Sequence, residues 1–191
     1  MTGKYVVVGI DEVGRGCLAG PLVAAAVIIE NNIDEIKDSK KLSFKKRELL
    51  DLVIREKAQA YGIGWTDVDA INSKGLTYAV SNAMKIALYK INIDYDEIII
   101  DGNYNFLPNE NNVKVIIKAD LTHPVVSAAS IIAKVYRDKW MKQLALDYPE
   151  YGFDQHYGYG TKYHFDKLEE FGPCKLHRMF YKPLLKYSIP R

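Results

Sequence analysis

Asp11, Glu12, Asp101 and Asp120 each follow a short apolar run. Tyr5–Ile10 precedes the first two, Ile98–Ile100 the third, and Val113–Ile117 lies shortly before the fourth. If these runs are neighbouring parallel strands, their C-terminal ends bring the four acids to one edge, where open α/β sheets form ligand sites. Four clustered carboxylates cannot all stay ionised unaided, because mutual repulsion raises the pKa of some of them. Divalent cations remove that penalty, and an oxygen-only donor set selects hard ions such as Mg²⁺ or Mn²⁺. Two such ions about 3.5–4 Å apart are a known arrangement for phosphodiester cleavage. Taken singly, each acid reads better as a strand-end turn former or a helix cap. Four acids at coincident strand ends read less well that way. No two of the histidines have metal-ligand spacing on one helix, and Cys17 and Cys174 form no CxxC pair. Neither a zinc site nor a disulfide framework is therefore expected.

The elements that must position these acids are legible in outline. Leu22–Ile29 is a second β-branched run behind Pro21, and Ala60–Thr66 alternates around Tyr61, Ile63 and Trp65 as a third strand. Ser43 caps a helix whose apolar residues are Leu49, Leu50, Val53 and Ile54. Gly75–Lys90 carries Leu76, Ala79, Val80, Ala83, Ile86 and Ala87 at helical steps, and a longer helix runs from Pro124 to about Tyr148. Thr161 caps a last helix that Gly172-Pro173 ends. The first three strands are close enough in sequence to pair antiparallel, whereas the later helical crossovers favour parallel pairing. The expected fold is a mixed five-stranded α/β sheet flanked by helices, one domain over residues 1–191, with a helical C-terminal segment from about residue 150. Asp11 and Glu12 are expected just beyond the first strand. Neighbouring side chains in a strand point to opposite faces, so a turn or bulge permitted by Gly14 and Gly16 is expected to bring these two together.

Hydrophobic residues make up 48% of the 191 residues, enough for a core, and charged residues 26%. No apolar stretch is long enough for a membrane span. The start, Met1-Thr-Gly-Lys4, shows no signal peptide, and the cysteine usage suits a reducing cytosol. The net charge of +2 says little about nucleic acid, but its distribution says more. Residues 37–57 are rich in Lys and Arg, and residues 151–191 combine basic residues with tyrosines and histidines. Such segments suit phosphates and sugar or base faces. On composition alone, a solvated surface with packed tyrosines explains them better.

At this point the residues resemble a known family. Asp11-Glu-Val-Gly-Arg-Gly16 with Leu18-Ala-Gly-Pro21 resembles the signature of type 2 ribonuclease H, ribonuclease HII. Asp38-Ser-Lys-Lys-Leu42, Asp101-Gly-Asn103, and Lys118-Ala-Asp120 with Ser127–Asp138 are similar to its next motifs. Gly158-Tyr-Gly-Thr161 and Leu176-His-Arg178 are similar to its C-terminal ones. The matches come in family order from about Val6 to Phe180. The resemblance implies a ribonuclease H-like fold. It implies a site in which Asp11, Glu12, Asp101 and Asp120 are catalytic and bind two Mg²⁺ or Mn²⁺ ions with substrate. It implies hydrolysis 5′ to a ribonucleotide, in RNA–DNA hybrids or at single ribonucleotides in duplex DNA, leaving a 3′-hydroxyl and a 5′-phosphate. The implied role is removal of misincorporated ribonucleotides and RNA primers.

The 2′-hydroxyl separates RNA from DNA. A backbone loop approaches it only where side chains are absent, which suits Gly14-Arg15-Gly16. The resemblance makes Tyr159 the tyrosine that packs on the ribose. Ser39, Lys40, Lys41, Asn72 and Lys118 are expected to contact phosphates, with Lys134 and Arg137 as further electrostatic candidates. Lys40 and Lys41 read equally well as plain surface lysines, Arg15 as a surface salt bridge, and Tyr159 as ordinary packing. His177 reads as structural or as a DNA-strand contact. Three positions depart from the usual pattern: Ala119 stands for Gly, Ser127 for Ala, and Tyr157 for Lys. The resemblance allows sliding-clamp binding, but the tail Lys186–Arg191 carries no clear motif for it, and a monomer is expected. Two other readings compete. Another nuclease or strand transferase of the same fold, such as a resolvase, lacks a use for the glycine loop and Tyr159. A silent nucleic-acid binding module gives no reason to keep carboxylates that repel phosphate.

Overall fold

The computed structural model describes residues 5–30, 33, 36 and 43–187. Five strands form one mixed sheet: β1 (Val7–Val13), β2 (Leu22–Ile29), β3 (Ala58–Thr66), β4 (Glu97–Asp101) and β5 (Val113–Ile116). The order is β3-β2-β1-β4-β5. β1 pairs antiparallel with β2, and β2 with β3. β1 pairs parallel with β4, and β4 with β5. The mixed sheet and its pairing directions agree with the expectation.

Helices cover both faces: α1 (Phe44–Lys57), α2 (Val68–Tyr89), α3 (Ala119–Thr122), α4 (Pro124–Asp147), α5 (Phe153–His156) and α6 (Lys162–Phe171). On one face Val8, Ile10, Leu22, Ala24, Ala26 and Ile28 pack with Ala79, Val80, Ala83, Met84 and Ala87 of α2. On the other, Val23, Ala25 and Val27 meet Ala128, Ala129, Ile132 and Ala133 of α4 and Leu50 and Ile54 of α1. Because β2 is covered on both faces, it reads as a continuous apolar run. Small residues let the helices approach closely. A Cβ at Gly9 would lie 2.4 Å from the Val125 carbonyl carbon of α4.

Several boundaries differ from the sequence reading. β1 runs on to Val13, so Asp11 and Glu12 lie inside the strand, paired with Ala25 and Ala24. Asp101 is the last residue of β4. The helix expected from Gly75 begins at Val68, with a break at Gly75 (φ 83°, ψ 171°). On α1, Leu49 is exposed, while Asp51 is buried beside Leu50 and Ile54 and pairs with Arg55. The Ser43 and Thr161 caps form as expected, accepting from the amides of Lys46 and His164.

The C-terminal segment folds back over residues 17–20. Leu18 packs with Leu168 and Leu184, and Ala19 packs with Met141, Tyr151 and Phe153. Leu18 and Ala19 donate their amides to the Gly158 carbonyl, and Gly20 donates to Leu176. The loop after β1 is thereby bound to the chain's last third.

Candidate active site

Residues Val7–Ile10 of β1 run level with Glu97–Ile100 of β4. Continuing that register sets Asp11 beside Asp101, where β4 ends and β1 goes on. The expected turn or bulge between Asp11 and Glu12 is absent, since both keep regular pairing with β2. They meet at an open strand edge instead. Asp11 leaves the strand on the α4 face and Glu12 on the opposite one, and both border the space beyond β4. The Glu12 amide donates to Asp11 Oδ1 at 2.7 Å.

The electrostatics record this proximity. Burial, then the charges of Glu12 and Asp101, push Asp11 up to about 8. Ser130 of α4, close to its carboxylate, opposes the rise. Burial also raises Glu12, and Asp101 adds to that, while Arg15 opposes it. Arg15 Nη1 lies 3.1 Å from Glu12 Oε1, so the salt-bridge reading of Arg15 is correct in this state. The Arg15 guanidinium also stands 5.4 Å from the centre of the Phe106 ring.

Asp120 is buried in α3, the residue after Ala119. The Ala119 amide donates to Asp101 Oδ1 at 2.7 Å, tying the β4 end to the turn that carries Asp120. The left-handed residue of that turn is Lys118 (φ 59°), which is exposed; Ala119 lies within the helical turn. Alanine in place of glycine there carries no backbone strain.

As the side chains stand, no three acidic, histidine or cysteine residues among the described ones gather tightly enough to cage a metal ion. Asp101 is nevertheless close enough for its charge to raise both Asp11 and Glu12. Glu12 Oε2 is buried without a hydrogen-bond partner. An oxygen-only set with a buried, unsatisfied carboxylate oxygen and two acids raised by burial and neighbouring charge fits a hard divalent cation.

Beside the acids lies the loop Gly14–Gly16. Gly14 has φ 98°, and a Cβ there would lie 2.5 Å from Arg137 Nε, so this position requires glycine. Gly16 is exposed, with open space where a Cβ would stand, which leaves bare backbone accessible. Tyr159 is half-buried and bridges to Cys17 in antiparallel fashion. Its ring centre is 5.2 Å from Lys134 Nζ and 5.8 Å from the Arg137 guanidinium. Burial, then Cys17, pushes its hydroxyl up to about 12.

Other candidates have structural duties. Arg137 is fully buried and bonds only backbone carbonyls, so it is no phosphate contact. Lys134 pairs with Asp138 at 2.7 Å. His177 is fully buried, which removes it as a DNA-strand contact. Asn72 donates to the His177 carbonyl and accepts from the Met179 amide, clamping the C-terminal segment. Ser39, Lys40 and Lys41 lie outside the described residues. The sequence reading passed over Ser130, Phe106 and Arg178; Ser130 and Arg178 lay within motifs already quoted, without a role.

Comparison with known proteins identifies the family. A family model described as Ribonuclease HII matches residues 8–184. Ribonuclease HII of Clostridium perfringens (strain SM101 / Type A) is 47% identical over 192 residues, covering 95% of this chain and 68% of that protein. The ribonuclease H2 structure from Pyrococcus horikoshii OT3 superimposes with a TM-score of 0.80 at 27% identity, covering 95% of this chain and 96% of that one. The ribonuclease HII of Archaeoglobus fulgidus, solved as a complex with PCNA, also gives 0.80, at 26% identity over 93% of this chain and 96% of that one. By sequence and by fold, this chain belongs to the ribonuclease HII family of endonucleolytic hydrolases.

Proposed function

We propose that this chain is a divalent-metal-dependent endoribonuclease. It hydrolyses the phosphodiester 5′ to a ribonucleotide, in RNA–DNA hybrids and at single ribonucleotides in duplex DNA, leaving a 3′-hydroxyl and a 5′-phosphate. One observation carries the reading. Asp11 and Glu12, both raised by burial and by the charge of Asp101, stand with Asp101 at an open strand edge, beside a loop whose backbone is bare at Gly16.

Asp11, Glu12, Asp101 and Asp120 are the residues to hold two Mg²⁺ or Mn²⁺ ions. When bound, such ions supply an activated water and neutralise the leaving oxygen. The protein's own groups do the rest. The Ala119 amide fixes the Asp101 carboxylate, and the Glu12 amide fixes that of Asp11. The Gly14-Arg15-Gly16 backbone reads the ribose 2′-hydroxyl, which DNA lacks. Tyr159 packs on the sugar, held by its neighbours Lys134, Arg137 and Cys17. Lys118, exposed at the turn before Asp120, meets the phosphate backbone, as Ser39, Lys40 and Lys41 are also proposed to do, and as Asn72 does with the one amide hydrogen that its clamp on the C-terminal segment leaves over.

The resolvase-like alternative leaves the bare loop and Tyr159 unused. The silent-module alternative leaves buried acids without the cation that offsets their repulsion. The proposed setting is ribonucleotide removal in the cytoplasm, by a monomer in which the segment from Pro149 belongs to the catalytic unit. No helix among the described residues is long and apolar enough to cross a membrane. Sliding-clamp binding is a separate question, raised by the Archaeoglobus complex. The deciding experiment is a gel assay on labelled duplex DNA carrying one ribonucleotide, with Mg²⁺ and with chelator. Metal-dependent cleavage on the 5′ side of the ribonucleotide supports the reading. Equal cleavage of an all-DNA duplex contradicts it.

A further inference from the structure

Arg137 and Arg178 are both fully buried. Neither has an acidic partner among the described residues. Their charges are close enough for Arg137 to lower the pKa of Arg178, although burial is the larger cause. Two buried, like charges without a carboxylate are costly unless every donor is satisfied. Here backbone carbonyls satisfy them. Arg137 donates to Pro21 at 2.9 Å, Ala19 at 3.0 Å and Tyr157 at 2.8 Å. Arg178 donates to Gly14 at 2.5 Å, Arg15 at 3.3 Å and twice to Gly20, at 3.1 and 2.8 Å. All but one of these carbonyls belong to the segment from Gly14 to Pro21. The exception, Tyr157, is two residues before Tyr159. Only a planar guanidinium offers enough fixed donors to gather such a set.

The orientation has a consequence. In a planar trans peptide the N–H points opposite to the C=O. Arg178 draws the Gly14 and Arg15 carbonyls inward, so the Arg15 and Gly16 amides turn outward. Among the described residues no acceptor takes either amide. They present two adjacent donors at the exposed stretch of the loop, with the inner side fixed by buried charge.

We infer that Arg178, with Arg137 beside it, is a positioning residue for ribose recognition: the guanidiniums hold the Gly14–Pro21 carbonyls inward and so aim the loop amides at the substrate. The inference rests on the proposed ribonucleotide-directed activity. Tyr181 belongs to the same device, because its hydroxyl bonds the Arg15 carbonyl and accepts from Arg178 Nη1. It offers a milder perturbation than a change in the buried charge.

The test compares the full chain with Arg178→Lys and Tyr181→Phe. kcat and KM are measured on duplex DNA with one ribonucleotide and on an RNA–DNA hybrid. Thermal melting and Mn²⁺ binding by calorimetry are followed in parallel. Arg178→Lys is expected to melt cooperatively and bind Mn²⁺ as the parent does, yet lose about 100-fold in kcat/KM, mainly in kcat. Tyr181→Phe is expected to lose about 5-fold, the equivalent of one hydrogen bond. Added guanidinium ion should partly restore Arg178→Gly, and ethylammonium should not. A folded Arg178→Lys that cuts at the parental rate overturns the inference. So does a loss of Mn²⁺ binding that keeps pace with the loss of cleavage. If Arg178→Lys fails to fold, Tyr181→Phe decides, and its unchanged kinetics overturn the inference too. A parent chain that cuts neither substrate sinks the functional reading and the inference with it. A fully active parent with insensitive variants sinks the positioning role alone.

Discussion

The backbone amide of Ala119 donates a 2.7 Å hydrogen bond to Oδ1 of Asp101, joining the end of β4 to the short helix that carries Asp120. The carboxylate is thus oriented by a main-chain group, which keeps its place when the side chain's charge is removed. Asp101→Asn should therefore fold and bind duplex much as the parent does. It should lose several kcal/mol of transition-state stabilisation, on the order of a thousandfold in rate. A gel assay beside a duplex-binding assay measures both. Near-parental turnover with Mg²⁺ removes Asp101 from the site.

Metal binding should also register as stability. A cation that binds the folded chain alone, at a hundred times its Kd, adds about 2.7 kcal/mol. Mn²⁺ should raise the melting temperature of the parent and raise that of Asp11→Asn much less, and chelator should abolish cleavage reversibly. Equal Mn²⁺ shifts in both proteins would place the binding elsewhere.

Tyr159 is braced by Cys17, Lys134 and Arg137, and its carbonyl accepts from His164 Nδ1 and the Thr161 amide. Tyr159→Ala should mainly damage cleavage at a single embedded ribonucleotide, by roughly tenfold or more if the ring contributes the 1–3 kcal/mol of an aromatic contact. Cleavage of a long hybrid should suffer less. Unchanged kinetics at the single ribonucleotide would return Tyr159 to plain packing.

Acid should destabilise the fold through two buried imidazoles. His164 and His177 meet Nε2 to Nε2 at 3.1 Å, both fully buried. Burial lowers each to about 4; the nearby His156 adds to this in both. The unfolded chain titrates them near 6.5, so between pH 6.5 and 4 it binds more protons than the folded one. Stability is complete above that window, falls as pH drops through it, and levels off below. The loss is on the order of 3 kcal/mol per imidazole at most. Urea unfolding at pH 7.5, 6 and 5 measures it, and a flat profile contradicts it.

Gly9→Ala tests the close approach of β1 to α4. The added Cβ would meet the Val125 backbone at 2.4 Å, and backbone cannot swing aside as a side chain can. Overpacking of this kind costs about 1–3 kcal/mol, read as a lowered denaturation midpoint. An unchanged midpoint shows that the helix yields freely.

The sequence alone determined the strands, the major helices and the pairing directions of the sheet, and it singled out the four acids of the proposed site, because apolar periodicity and acids beside apolar runs are local signals. It misjudged the end of β1. A strand carrying two acids reads as a turn until its pairing with Ala24 and Ala25 is seen. Only the tertiary structure decided how Asp11 and Glu12 come together, since that depends on β4 ending while β1 continues. It also decided that Arg137 and Arg178 are buried charges gripping carbonyls across more than 100 residues of chain. Nothing in the local pattern separates an arginine aimed at phosphate from one aimed inward, because burial belongs to the packed chain and not to the residue.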